Sequence, residues 1–274
     1  MRREVEHSQA MHAHPPFSTS ARDIALCFQF LSRIPLPEAL VSHDKPDFTH
    51  ASWAFPVAGA LIAVPALATV LIGYLLALPI SMITALAIVV LVFTTGGLHE
   101  DGVADVADGF GGGHTKDRKL DIMKDSRVGA YGVIALALIF GLRFTGWSFI
   151  AYESLFLFSA GLIASQLMSR TAQVHLWHGL PSAREGGLAQ SVGQPSASAR
   201  NLAAVIGVFT TIALILSFVD MIRLVAALLF VGFVTWAFMI ICRRQIGGHT
   251  GDTIGAVQII AEIAFIIGLL TFSA

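Results

Sequence analysis

The sequence predicts an all-α protein: a polytopic integral membrane helical bundle of about seven transmembrane helices, preceded by an N-terminal interfacial helix. Three observations carry this. The 274 residues are 55% hydrophobic and only 13% charged, with a mean hydropathy of +0.74, whereas soluble domains run at about 25% charged. Several apolar stretches approach the roughly twenty residues that a bilayer crossing needs. Lysine and arginine fall on alternate connections between those stretches, as the positive-inside rule requires.

Residues 1–20, MRREVEHSQAMHAHPPFSTS, are polar and lack an apolar core. They read as a disordered tail whose His7, His12 and His14 are solvated. Residues 21–274 read as one membrane-embedded domain, without linker or low-complexity tract. The stretch RDIALCFQFLSRIPLP, Arg22 to Pro37, is short and charged, so it suits an interfacial helix. Within it, Arg33 either faces a ligand or snorkels toward the membrane surface. Spans are expected at 53–76, 80–97, 131–151, 155–176, 201–219, 222–242 and 254–273. With residues 1–52 on one side, the loops 98–130, 177–200 and 243–253 return to that side. Of the 17 lysines and arginines, Arg143 and Arg170 fall inside spans and Arg223 on the far side; all the others gather on the starting side. That side is therefore cytoplasmic. Cys27 and Cys242 have no metal-type spacing and read as small apolar side chains. Transporters place ionisable residues near mid-membrane. Polar loops crowded on one face suit instead a protein that works on water-soluble molecules at the membrane surface.

The stretch HEDGVADVADGFGGG, His99 to Gly113, ends the second expected span with four acids. Asp101, Asp105 and Asp108 are spaced i, i+4, i+7, so a helix sets them within roughly 60° of each other. Like charges at that spacing repel, and a divalent cation removes the conflict; magnesium takes hard oxygen ligands and shares them with phosphates. The small residues between them suit close packing. The run Gly109 to Gly113 reads as a loop able to approach phosphate, with Gly109, Gly111 and Gly112 as candidates. In HTKDRKLDIMKDSRVGAYG, the residues Arg118, Lys119, Lys124, Asp125 and Arg127 form either an ion-paired helix or a diphosphate-holding set. A third polar island, RRQIGGHTGDTIGA, offers His249, Thr250 and Asp252 among glycines. Arg170 needs a partner inside the membrane, and Arg184 and Glu185 lie in a further loop. These features alone point to a metal-assisted phosphoryl or nucleotidyl transfer, where catalysis is mainly positioning and charge neutralisation.

The segments GGLHEDGVADVADGFGGG and KLDIMKDSRVGAYGV closely resemble the signature of the cobalamin synthase family, the adenosylcobinamide-GDP ribazoletransferases. FLSRIPLP, FPVAGALIA and GGHTGDTIGAVQIIAEIA match in the same order, so the resemblance covers roughly residues 22–273. It implies a Mg²⁺-dependent transferase in the cell inner membrane with its active site facing the cytoplasm. Such an enzyme joins adenosylcobinamide-GDP to α-ribazole, or its 5′-phosphate, and releases GMP in the final nucleotide-loop assembly of cobalamin. Its partners would be those small molecules and the lipid bilayer, with no nucleic acid, and a homo-oligomer is allowed. Mapped here, the resemblance implies that Asp101, Asp105 and Asp108 bind the metal. Asp105 or Asp108 would accept the hydroxyl proton, and Lys124 and Arg127 would steady the leaving GMP. Gly109, Gly111, Gly112, Arg118, Asp125, His249, Thr250, Asp252 and Arg33 would contact substrate. Two rivals remain. A lipid-forming CDP-alcohol phosphotransferase would need arginine where Asp105 stands, and a divalent-ion transporter would need acids at mid-membrane depth.

Overall fold

The computed structural model describes residues 19–41, 46–184 and 192–272. Its helices are α1 (Thr19–Leu31), α2 (Phe48–Ala51), α3 (Phe55–Ile62), α4 (Val64–Leu75), α5 (Ile80–Thr95) and α6 (Leu98–Gly112). They continue as α7 (Lys116–Ile122), α8 (Ala130–Glu153), α9 (Leu155–Gly179), α10 (Ala197–Ile215), α11 (Met221–Ile246) and α12 (Gly251–Leu270). Among the described residues there is no strand, only a single parallel bridge between Ser182 and His249. The expected tail lies outside the described residues except for Thr19 and Ser20, which open α1. That helix packs on the α2–α3 end of the bundle, where the Trp53 indole N–H donates to Asp23 at 2.8 Å.

Among the described residues, five helical segments are long and apolar enough to cross a membrane: Phe48–Leu75, α8, α10, α11 and α12; α5 and α6 pass only as a bent pair, a broken span or a re-entrant loop. Large apolar side chains face outward on these segments, including Leu71, Leu138, Phe149, Phe209 and Phe233, as lipid contact requires. The count differs from the expected seven in two places. The segment expected at 80–97 is a 16-residue helix, and at Gly96 and Gly97 the chain turns by 86° into α6. Both glycines hold left-handed φ values of 66° and 70°, which residues with a Cβ rarely adopt. A Cβ on Gly96 would also meet the Arg33 side chain at 2.7 Å. The second difference is α9, which is 25 residues long but is not among the helices apolar enough to span. It is enclosed by α3, α8, α10, α11 and α12 and carries buried Ser165, Gln166, Ser169, Arg170 and Gln173. A helix shielded from lipid by other helices has no need of an apolar surface.

The three connections expected on one side do meet. Lys119 of α7 donates to Gln245 of α11, and Arg184 donates to the Leu120 carbonyl at 2.8 Å. His249 N–H donates to the Pro181 carbonyl, and Ala183 N–H to the His249 carbonyl, both at 2.8 Å. The exceptional Arg223 sits at the opposite end, where it forks onto Glu153 at 2.6 and 2.7 Å.

Helices α6 and α12 touch through glycine. A Cβ on Gly102 would lie 2.7 Å from the Asp252 carbonyl oxygen and 3.3 Å from Ala256 N, both backbone atoms. Gly102→Ala is expected to destabilise the protein by about 1–3 kcal/mol through overpacking, although alanine favours helix. Thermal unfolding in detergent checks this; an unchanged or raised midpoint would show that the two helices have room to part.

Candidate active site

The close approach at Gly102 places the first turn of α12 beside the acidic face of α6. Thr250 caps α12: its hydroxyl accepts from Thr253 N–H at 3.3 Å, and the Thr253 hydroxyl accepts from Thr250 N–H at 2.9 Å. The same Thr250 hydroxyl donates to Asp252 Oδ2 at 3.1 Å. Asp105 is half-buried and is repelled by Asp101, Asp252 and Asp108, with Arg184 as the offsetting charge. Arg184 stands 3.9 Å from Asp252. Among the described residues, no three His, Cys, Asp or Glu side chains close on a single point. Magnesium does not require such a cage, because it usually takes one or two carboxylates and completes its shell with phosphate and water. Hard oxygen donors on Asp101, Asp105 and Asp252, carrying more negative charge than Arg184 offsets, fit that habit.

Asp108 departs from its expected place in the metal and catalytic set. Its two oxygens accept from Gly129 N–H at 2.7 Å and Gly132 N–H at 2.9 Å, so the carboxylate, 8% exposed, caps α8. Unsatisfied amides at a helix start attract an anion. The glycine run is likewise no loop, since α6 continues through Gly112. A Cβ on Gly109 would meet Met123 at 2.5 Å, and one on Gly111 would meet the Tyr131 ring at 2.8 Å; these glycines admit α7 and α8, while Gly112 lies at the exposed helix end.

The expected cation set also sits elsewhere. Arg118, Lys124, Asp125 and Arg127 are exposed on α7 and the turn after it. Arg127 pairs with Asp125 at 2.6 Å, and this pairing pulls the Asp125 carboxyl down to about 2. Arg33 lies over the Gly96 bend, its backbone N–H donating to the Thr94 carbonyl at 2.7 Å. His249 is buried between Pro181 and Ala183. Burial pushes its imidazole down to about 4, so the ring is uncharged at neutral pH. Glu185 lies outside the described residues.

Beneath the acids runs a buried polar network. Arg143 of α8 donates to Glu100 at 2.8 Å and to both oxygens of Glu262 on α12, at 3.0 and 3.3 Å. Glu262 also accepts from Trp147 at 3.3 Å, Gln166 at 3.3 Å and Gln258 at 3.2 Å. Arg170 donates to Gln166 and Ser169 and reaches His99 Nε2 at 3.1 Å. Two arginines thus face two glutamates, all buried. Sequence reasoning noted both arginines and missed Glu262, Gln258, Gln166 and His99. The signal was present: two cations inside spans demand acids, and Glu262 interrupts an apolar run.

A cavity of about 230 Å³ opens between α1, α6, α9 and α12. Asp101 and Asp252 line it together with Phe30, His99, Gln173 and Trp177. The acids therefore stand in the wall of a largely apolar pocket.

Known proteins bear on this arrangement. The cobalamin-5-phosphate synthase family matches residues 23–270. An adenosylcobinamide-GDP ribazoletransferase of Sinorhizobium medicae is 44% identical over 259 residues, covering 92% of this chain and 96% of its own. Proteins of that name from Mesorhizobium japonicum and Rhizobium meliloti are 41% and 42% identical, covering 89% and 92% of this chain and 91% and 96% of theirs. No solved structure matches. A match that takes in α1 through α12, with both acid-bearing helices inside it, settles the kinship: the chain belongs to the cobalamin-5-phosphate synthase family.

Proposed function

We propose that this chain joins adenosylcobinamide-GDP to α-ribazole, or its 5′-phosphate, and releases GMP. The gathering of Asp101 and Asp252 at one pocket, with Asp105 close enough to be repelled by both, from two segments inside the family match, carries the reading. The relatives' name supplies the substrates. A ribose hydroxyl oxygen of the acceptor bonds to the cobinamide-side phosphorus. The bond from that phosphorus to the bridging oxygen breaks, and the bridging oxygen leaves with GMP. Asp105 accepts the hydroxyl proton. One or two of Asp101, Asp105 and Asp252 would hold magnesium, which would supply charge neutralisation on the diphosphate. Arg184, the cation beside Asp252, takes the charge-steadying role expected of Lys124 and Arg127. Asp108 positions α8 against α6.

In this reading the site faces the cytoplasm from the inner membrane, which the lysines and arginines gathered on its side support. An ion-transport reading would draw on Glu100 and Glu262, which lie within the buried core. Both are tied to Arg143, and a carboxylate held in an ion pair is a poor cation site.

GMP release by purified, detergent-solubilised protein tests the proposal, with adenosylcobinamide-GDP and α-ribazole supplied with and without Mg²⁺. Magnesium-dependent GMP together with a cobalamin product is expected. No product from a folded, monodisperse sample would sink it.

A further inference from the structure

The cavity between α1, α6, α9 and α12 has a use that the acid cluster does not explain. Three residues of its wall, His99, Gln173 and Trp177, are at most 2% exposed. Each carries one polar atom with no hydrogen-bond partner among the described residues: His99 Nδ1, Gln173 Oε1 and Trp177 Nε1. Their remaining polar atoms fix what each orphan offers. The Gln173 amide N–H₂ donates to the Ile254 carbonyl at 3.0 Å, which leaves its oxygen as an acceptor. His99 Nε2 faces the Arg170 guanidinium at 3.1 Å, and a guanidinium only donates. Nε2 must accept, so Nδ1 carries the hydrogen and is a donor. The Trp177 indole is a donor only. Three residues of one small cavity's wall therefore carry two unpaired donors and one unpaired acceptor, and buried polar groups left in that state are costly.

Resting on the proposed reaction, we infer that this cavity seats the guanine base of the nucleotide donor and not the ribazole acceptor. Guanine carries acceptors at O6 and N7 and donors at N1 and N2, which answers two donors and one acceptor. The benzimidazole base of a riboside has a single free ring nitrogen, an acceptor, and no N–H, so Gln173 Oε1 would stay unpaired against that base. Size agrees: pockets for drug-sized ligands run to about 300–1,000 Å³, so about 230 Å³ takes one ring system and excludes a corrin. Phe30, partly exposed and lining the same cavity, supplies an aromatic surface for a base. Asp101 and Asp252 at the edge place the phosphates on the acid side.

The test is equilibrium binding of GMP and, separately, of α-ribazole to the purified full-length protein, with no turnover required. Trp177→Phe keeps an aromatic ring and removes the N–H; it is expected to weaken GMP about tenfold, the scale of one buried hydrogen bond, and to leave α-ribazole binding unchanged. Gln173→Leu is expected to act the same way, with thermal unfolding recorded because the Ile254 carbonyl also loses its donor. A weakening confined to α-ribazole, or no weakening of either ligand in folded variants, overturns the assignment. GMP binding that responds as expected in a protein inactive with adenosylcobinamide-GDP would leave the base site standing and remove the reaction assigned to it.

Discussion

Asp105→Asn is expected to lower turnover about 10³-fold or more, the scale of removing a group that stabilises charge or moves a proton in the reaction. The variant should fold as well as the parent, or better. Asparagine matches aspartate in shape, and α6 keeps Gly102, Ala104 and Val106 against its neighbours. What changes is charge. Asp105 is crowded by Asp101, Asp252 and Asp108, so neutralising it relieves repulsion that the fold otherwise sustains. A lost reaction with an unchanged or raised unfolding midpoint is the signature of a carboxylate kept for function. Steady-state GMP release and thermal unfolding on the same preparation check it. Turnover above a tenth of the parent's would remove Asp105 from the centre of the mechanism. An equal loss in Asp252→Asn would support one shared site built from both helices.

The two acid-bearing segments were legible because their pattern is local. Asp101, Asp105 and Asp108 recur on one helical face, and α6 is helical across all three. What spacing does not contain is each carboxylate's partner. Asp108 follows the same rule as Asp105, yet it caps a helix that begins more than twenty residues later. The glycine run misled for a related reason: glycine marks either a loop or a close approach, and here Met123 and Tyr131 occupy the space that side chains would fill. Depth was the other hidden quantity. Hydropathy assumes that a spanning helix meets lipid, which holds for α8 and α11 with their exposed Phe149 and Phe233. It does not hold for α9, whose polar residues are enclosed by other helices. The charge pattern of the loops survived best, because it depends on which connections share an end and not on any pairing within them.

Arg143→Leu is expected to cost about 3–5 kcal/mol, because removing one partner of a buried ion pair leaves the other charge uncompensated. Arg143 is 2% exposed and Glu262 fully buried, and a single guanidinium joins Glu100 of α6 to Glu262 of α12. Without it Arg170 alone faces both carboxylates; Arg170 bonds to Gln166, Ser169 and His99 and makes no direct ion pair with either acid. Arg143→Lys should cost less, since the charge remains while the planar fork that serves two acids is lost. The informative variant is the double one. Arg143→Leu with Glu262→Leu removes one charge of each sign and leaves Glu100 with Arg170, so it should be less destabilised than the sum of its singles. Denaturant or thermal unfolding of the four proteins in one detergent measures that coupling. Additive losses would mean that Arg143 and Glu262 act independently. A strong positive coupling would mean that the pair locks α12 to α8, which holds Glu100 of α6 through the same guanidinium and so helps set the register of α6 against α12. That register decides whether Asp101 and Asp252 share a pocket, so the singles should also lose GMP release while the conservative Arg143→Lys retains part of it.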